Sequence, residues 1–169
     1  MIAPTLQTDR LTLRMPSPDD WTAYRAYYTS ARAAPVGGPK TPRATWHGFS
    51  GFWGHWAIRG FGRFTIVERS TDAAIGHVGP YQPDGTPETE LSWTLWTDAA
   101  EGRGIAYEAA TAARDWCYQR LGWTTFISLI APSNARSIAL ATRLGAQHET
   151  TLTIDGIHHD LHRHPGPKL

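Results

Sequence analysis

The chain has 169 residues, 41% of them hydrophobic and 18% charged, with a formal net charge of +1. That length suits one compact domain with a real core, and the composition excludes a chain disordered over most of its length. Mixed charges leave no footprint of a nucleic-acid or anionic-membrane binder, and no apolar run of about eighteen residues exists to span a bilayer.

Met1 to Arg14 lacks the apolar centre of a signal peptide, so a cytoplasmic location is expected. The same stretch opens the fold: Leu11 and Leu13 alternate with Thr12 and Arg14, which predicts a strand over Leu6 to Met15, stopped by Pro16. Ser17, three residues before Asp20, is an N-cap for a helix through Trp21, Tyr24, Ala26 and Tyr28. Pro35, Gly37, Gly38, Pro39 and Pro42 then predict an irregular connection. Trp46, Phe49, Trp53 and Trp56 recur at helical spacing, with Gly60 to end that helix.

Strands are predicted at Phe61 to Arg69, Ala74 to Tyr81 and Glu88 to Trp96, an antiparallel meander separated by Ser70-Thr71-Asp72 and Pro83-Asp84-Gly85. An alanine-rich helix follows from about Gly104 to Arg120, with Ile105, Ala109, Ala112, Ala113 and Trp116 on one face and Gly122 as its stop. Thr125 to Ala131 reads as a buried strand and Asn134 to Leu144 as a helix ended by Gly145. His148 to Ile154 and Ile157 to His164 form a hairpin around Asp155-Gly156.

The stretch Glu101-Gly102-Arg103-Gly104-Ile105-Ala106 lies between a predicted strand and the longest helix. Its glycines let the backbone approach a ligand, and the helix's first amides have no internal partner and sit at the positive end of its dipole, which makes a pyrophosphate site. Arg103 adds a charge there. An NTPase phosphate loop is excluded, because no lysine follows Gly104 until Lys168. A dinucleotide fold is a poor fit, because three strands without intervening helices precede the turn.

These residues resemble the GNAT superfamily of N-acetyltransferases, and within it the branch containing the ribosomal-protein N-terminal acetyltransferases. Thr8-Asp9-Arg10-Leu11-Thr12-Leu13-Arg14 resembles that branch's opening strand, Ile75-Gly76-His77-Val78-Gly79 its third and Glu90-Leu91-Ser92-Trp93-Thr94-Leu95 its fourth. Gly102-Arg103-Gly104-Ile105-Ala106 looks like the coenzyme A loop, and Asn134-Ala135-Arg136-Ser137 with Leu144-Gly145-Ala146 like the segment beside the pantetheine arm. The resemblance implies an α/β fold with a mixed α+β sheet: about seven strands, mostly antiparallel, splayed between strands four and five, and about four helices in one domain over residues 1–169.

It also implies acetyl-CoA as cosubstrate, and an amine as acceptor, either a small molecule or a protein N-terminus. The protein would act as a monomer or homodimer, with no nucleic acid, membrane or metal. Backbone amides near Trp93, Thr94 and Leu95 would polarise the thioester carbonyl, and Gly102, Arg103, Gly104, Ile105, Ala106, Asn134 and Ser137 would hold the coenzyme. Glu90, on one strand face with Glu88, Ser92 and Thr94, is the candidate base. Ser137 matches a family position near the coenzyme sulfur, and Asn134 doubles as a helix N-cap.

Two positions depart from the family pattern. Glu101 stands where Gln or Arg is common, and Ala141 stands where many members carry a tyrosine acid. Both motivate an alternative: a non-catalytic GNAT-fold module that binds acyl-CoA or regulates a partner. Cys117 sits on the packed face of its helix and is read as core, so direct transfer in a ternary complex is expected. His158, His159, His162 and His164 do not match a metal spacing, and His77 is read as structural.

Overall fold

The single strand expected over Leu6 to Met15 is two in the computed structural model, which describes residues 4–167. These are β1, Leu6–Gln7, and β2, Leu11–Arg14, paired antiparallel with Leu6 opposite Leu13. The Thr8 amide donates to the Leu11 carbonyl at 2.9 Å and its hydroxyl accepts from the Leu11 amide at 3.0 Å, which closes a turn where alternation alone predicts extension.

Helix α1, Trp21–Tyr28, follows a short 3-10 turn capped by Ser17. A second such turn spans Ala31–Val36, inside the stretch expected to be irregular. Helix α2, Pro42–Arg59, begins at the proline expected to break structure. Proline suits the first helical position because its missing N–H would have no partner there, and the Thr41 hydroxyl caps the helix by accepting from the Ala44 amide.

The meander is β3, Phe64–Glu68, β4, Ala73–Tyr81, and β5, Glu90–Leu95. Helix α3, Ile105–Leu121, strand β6, Ile127–Ile130, and helix α4, Ala135–Arg143, come next. Strands β7, Gln147–Ile154, and β8, Ile157–Arg163, complete one sheet in the order β1-β2-β3-β4-β5-β6-β8-β7. Eight strands stand where about seven were expected, the split first strand being the difference, and four α-helices match expectation.

Every neighbouring pair is antiparallel except β5 and β6, which are parallel and joined in register only at Glu90 and Ile127. The Ile127 amide donates to the Thr89 carbonyl at 3.2 Å and the Ser128 hydroxyl to the Leu91 carbonyl at 2.7 Å, so the two strands are tied at one end. Past that tie they part. This is the expected splay between the fourth and fifth strands, counted one higher because of β1.

One core cluster joins α3 to the sheet through Leu11, Ile66, Val78, Leu91, Ile105 and Ala109. A second joins α1 and α2 through Tyr24, Tyr28, Phe49 and Phe52, with Trp96. Gly76 keeps β4 close to β5: a Cβ there would stand 2.5 Å from the Thr94 carbonyl oxygen and force the strands apart.

A buried ion pair fastens the start of α1 to this sheet. Asp20 is 2% exposed and accepts from the Arg14 guanidinium at 2.7 and 2.9 Å, the Ser17 amide at 2.9 Å and the Thr65 hydroxyl at 2.8 Å. Burial pushes its pKa up, but these donors outweigh burial and hold it below the usual carboxylate range. Its stabilisation is therefore present above the unfolded-state pKa and is lost as the pH falls through the folded-state value. Asp20→Ala leaves Arg14 uncompensated and is expected to cost about 3–5 kcal/mol in urea unfolding at pH 7, with a smaller penalty in acid.

Candidate active site

The loop before α3 adopts the conformation its glycines permit. Gly102 and Gly104 have φ of +70° and +75°, left-handed values that disfavour side chains, and they turn the chain so that α3 starts facing the gap in the sheet. No side chain caps α3. Its first amides are thus free to meet an anion.

A cleft of about 720 Å³ opens there. It brings together nine of the ten residues predicted to hold the coenzyme: Trp93, Thr94, Leu95, Gly102, Gly104, Ile105, Ala106, Asn134 and Ser137. Arg103 is the exception. Its guanidinium bonds Glu68 at 2.6 Å and the Ala99 carbonyl at 3.3 Å, which turns it out of the cleft. Its left-handed neighbours send the side chain to the opposite side of the loop.

The cleft's positive charge comes instead from Arg32, Arg136 and Arg143, which sequence reasoning did not select. Arg136 and Arg143 were within reach, because positions 136, 140 and 143 share one helical face; Arg32 follows α1 in a stretch with no periodic signal. Arg143 lies 4.0 Å over the Tyr107 ring, which also lines the cleft. Glu101 is a lining residue too, but its carboxylate pairs with Arg32 at 2.8 Å and with Arg136. These partners offset the repulsion that the Glu101 charge would otherwise exert on a pyrophosphate in the cleft.

Further along the cleft, the Trp93 indole donates to the Ser137 hydroxyl at 3.3 Å, and the Ser137 amide donates to the Asn134 side chain at 3.2 Å as the N-cap of α4. With its oxygen accepting from Trp93, the Ser137 hydroxyl keeps its own proton to give. Ala141 is fully buried in a cluster with Ile130 and Ala146.

Glu90 lies outside the cleft lining, at the closed end where β5 meets β6. Burial pushes its pKa up to about 7, against the opposing influence of Arg63 and a backbone hydrogen bond with Leu129. Glu88, expected on the same strand face, falls before β5 and pairs with Arg163 at 2.8 and 2.9 Å, which holds its pKa down. The turn around Pro87 ends the extended stretch sooner than alternation implies.

Cys117 is fully buried and its thiol is pushed up by burial, so it is held as an inert thiol. His77 is also fully buried, its Nδ1 accepting from the Trp96 indole at 3.2 Å. His158 is exposed while His162 and His164 are buried. Among the described residues no group of three or more metal-ligating side chains gathers, and no helix is long and apolar enough to cross a membrane.

A mixed sheet parted at one parallel pair, with an uncapped helix start facing the gap, is the architecture of an acetyltransferase. The GNAT acetyltransferase domain matches residues 10–147, and this chain belongs to that family. It is similar to an acetyltransferase from Agrobacterium tumefaciens, with 36% identity, TM-score 0.89, and 97% of this chain and 95% of that one covered. A ribosomal-protein acetyltransferase from Vibrio fischeri shares the fold at 17% identity, TM-score 0.76 and 97% coverage of both chains. So does AAC(6')-Ib, solved in complex with acetyl-CoA, at 16% identity, TM-score 0.76, and 93% and 94% coverage. An uncharacterised N-acetyltransferase of Bacillus subtilis, YnaD, is 25% identical over 87 residues; the match spans about half of each protein, 52% of this chain and 51% of that one.

Proposed function

We propose that this chain is a single-domain, cytoplasmic N-acetyltransferase, monomeric or homodimeric, that moves the acetyl group of acetyl-CoA to a primary amine of a small molecule or a protein N-terminus. One observation carries the reading: an uncapped helix start, a parted pair of strands and a half-buried carboxyl group near neutrality follow one another along β5 and its gap.

The residues present suit the cosubstrate. Amides of Ile105 and Ala106, with Arg136 and Arg143, would hold the pyrophosphate, while Trp93, Thr94, Leu95 and Asn134 would flank the pantetheine arm in the gap. In the transfer, the amine nitrogen bonds to the acetyl carbonyl carbon, the carbon–sulfur bond breaks, and the amine's proton leaves to Glu90. Burial suits Glu90 to that task, because a base with a pKa near 7 is both available and basic enough at neutral pH. The Ser137 hydroxyl, which lines the cleft, would supply to the departing sulfur the hydrogen bond that the absent tyrosine would otherwise give. The burial of Cys117 supports direct attack rather than an acetyl-cysteine intermediate.

A non-catalytic coenzyme-binding module is the second reading, favoured by Ala141; the charge partners of Glu101 remove its other motive. Release of free thiol from acetyl-CoA separates the two. Turnover with members of an amine panel is expected, and coenzyme binding in calorimetry without turnover by any amine would instead establish the module.

A further inference from the structure

On the side of β4 and β5 that faces α1 and α2, a guanidinium stands without an acceptor. Arg63 lies between two aromatic rings, 4.4 Å from the Phe52 centroid and 3.9 Å from that of Tyr81, which fixes the plane of its head group. Its Nε is enclosed and has no hydrogen-bond partner, and among the described residues it forms no ion pair.

Its one polar side-chain neighbour is His77, with Nη1 3.4 Å from Nε2. That contact does not satisfy it. Because Nδ1 of His77 accepts from Trp96, the neutral ring carries its proton on Nε2, so donor faces donor. Leaving the enclosed Nε–H without an acceptor is costly, so the group calls for an acceptor from outside, and the charge of the guanidinium favours an anion in that place.

A second cation stands nearby. The Lys40 ammonium lies 5.4 Å over the Tyr28 ring, and Tyr28 stacks on His77 with centroids 6.4 Å apart. Arg63 directly precedes β3, whose Phe64 pairs with Val78, which in turn pairs with Trp93. Arg63 therefore sits across the sheet from the middle of β5, between Glu90 at one end and Thr94 and Leu95 at the other. An amine placed to give its proton to Glu90 would therefore meet Arg63 and Lys40 on the same side of the sheet.

We propose that Arg63, supported by Lys40, binds a carboxylate belonging to the acceptor, so that the acceptor is a small amine carrying its own carboxylate, an amino acid by class. A guanidinium fork held flat between two rings matches the two oxygens of a carboxylate. A polycationic acceptor would meet repulsion from both cations. A neutral peptide group at the same place would give the fork no opposite charge beyond that of Glu90. The amine half of this inference rests on the acetyl-transfer reading; the carboxylate half is a matter of binding alone.

The test uses the full chain saturated with coenzyme A and N-acetyl derivatives of phenylalanine, leucine, serine and aspartate, each beside its primary amide, followed by tryptophan fluorescence. At least one free acid is expected to bind about tenfold more tightly than its amide, the worth of a charged hydrogen bond. Arg63→Gln is expected to erase that preference while leaving coenzyme affinity unchanged, and Arg63→Lys to keep part of it. Equal binding within every pair, or a preference that survives Arg63→Gln, overturns the proposal; if Arg63→Gln does not fold, the wild-type pairs and Arg63→Lys decide. Free amino acids and their amides then serve as acceptors. An acid preference in binding, with no thiol release from these or from any amine of the panel, would sink the transfer reading and leave the carboxylate site standing.

Discussion

Glu90→Gln is expected to lower kcat about 100-fold at pH 8, within the range that a positioned base contributes, while the Kd for coenzyme A stays within about twofold. The separation follows from position, since Glu90 closes the gap between β5 and β6 and does not line the coenzyme cleft. The wild-type rate should rise with pH through about 7, as this half-buried carboxyl ionises, and the variant should lack that limb. Stability gives an independent check. A carboxyl whose folded-state pKa lies above its unfolded one binds protons more tightly when folded, so its ionisation costs the native state free energy and stability falls as pH rises between the two values. Glu90→Gln is therefore expected to be more stable than wild type at pH 8 by about 3 kcal/mol, a gain that fades in acid. Loss of activity with equal loss of stability at both pH values would mean that Glu90 only packs.

Much of this arrangement was legible in the residues, and what was not has identifiable causes. The long elements declared themselves: α3 through the apolar face its alanines share, β5 through alternation, β4 through the turn residues that bound it, and the final hairpin through Asp155-Gly156. Their ends were less legible. Pro42 was expected to break structure because its place at a helix start depends on Thr41 as cap, a local detail that composition does not distinguish. The cleft-lining backbone was readable from the glycine turn, but its charges were not. Arg103 is adjacent to the glycines and still turns to Glu68, whereas Arg32 and Arg136 reach the cleft from distant elements and meet at Glu101. Arg63 gave no signal at all, since its meaning comes from Phe52, Tyr81 and His77 gathering around it. Backbone sites follow from local sequence; side-chain electrostatics follow from the packing of elements that sequence leaves unplaced.

The backbone site can be tested without disturbing the fold, because the physics of a helix start gives opposite signs for stability and for ligand. Ala106 lies in the first turn of α3 and lines the cleft. A glutamate placed there puts negative charge at the positive end of the helix dipole, which is favourable by about 0.3–1 kcal/mol. The same charge would occupy the place proposed for the pyrophosphate and repel it. Ala106→Glu is thus expected to hold or slightly raise the melting temperature of the free protein while weakening coenzyme A binding about 100-fold in calorimetry. It should also remove the thermal stabilisation expected of coenzyme A on the wild-type chain. Ala106→Gln, of nearly the same size without the charge, should lose far less affinity, so the pair separates electrostatic exclusion from crowding. Full coenzyme affinity in Ala106→Glu would mean that the diphosphate rests elsewhere, and the role assigned to Gly102, Gly104 and the amides that follow would fall with it.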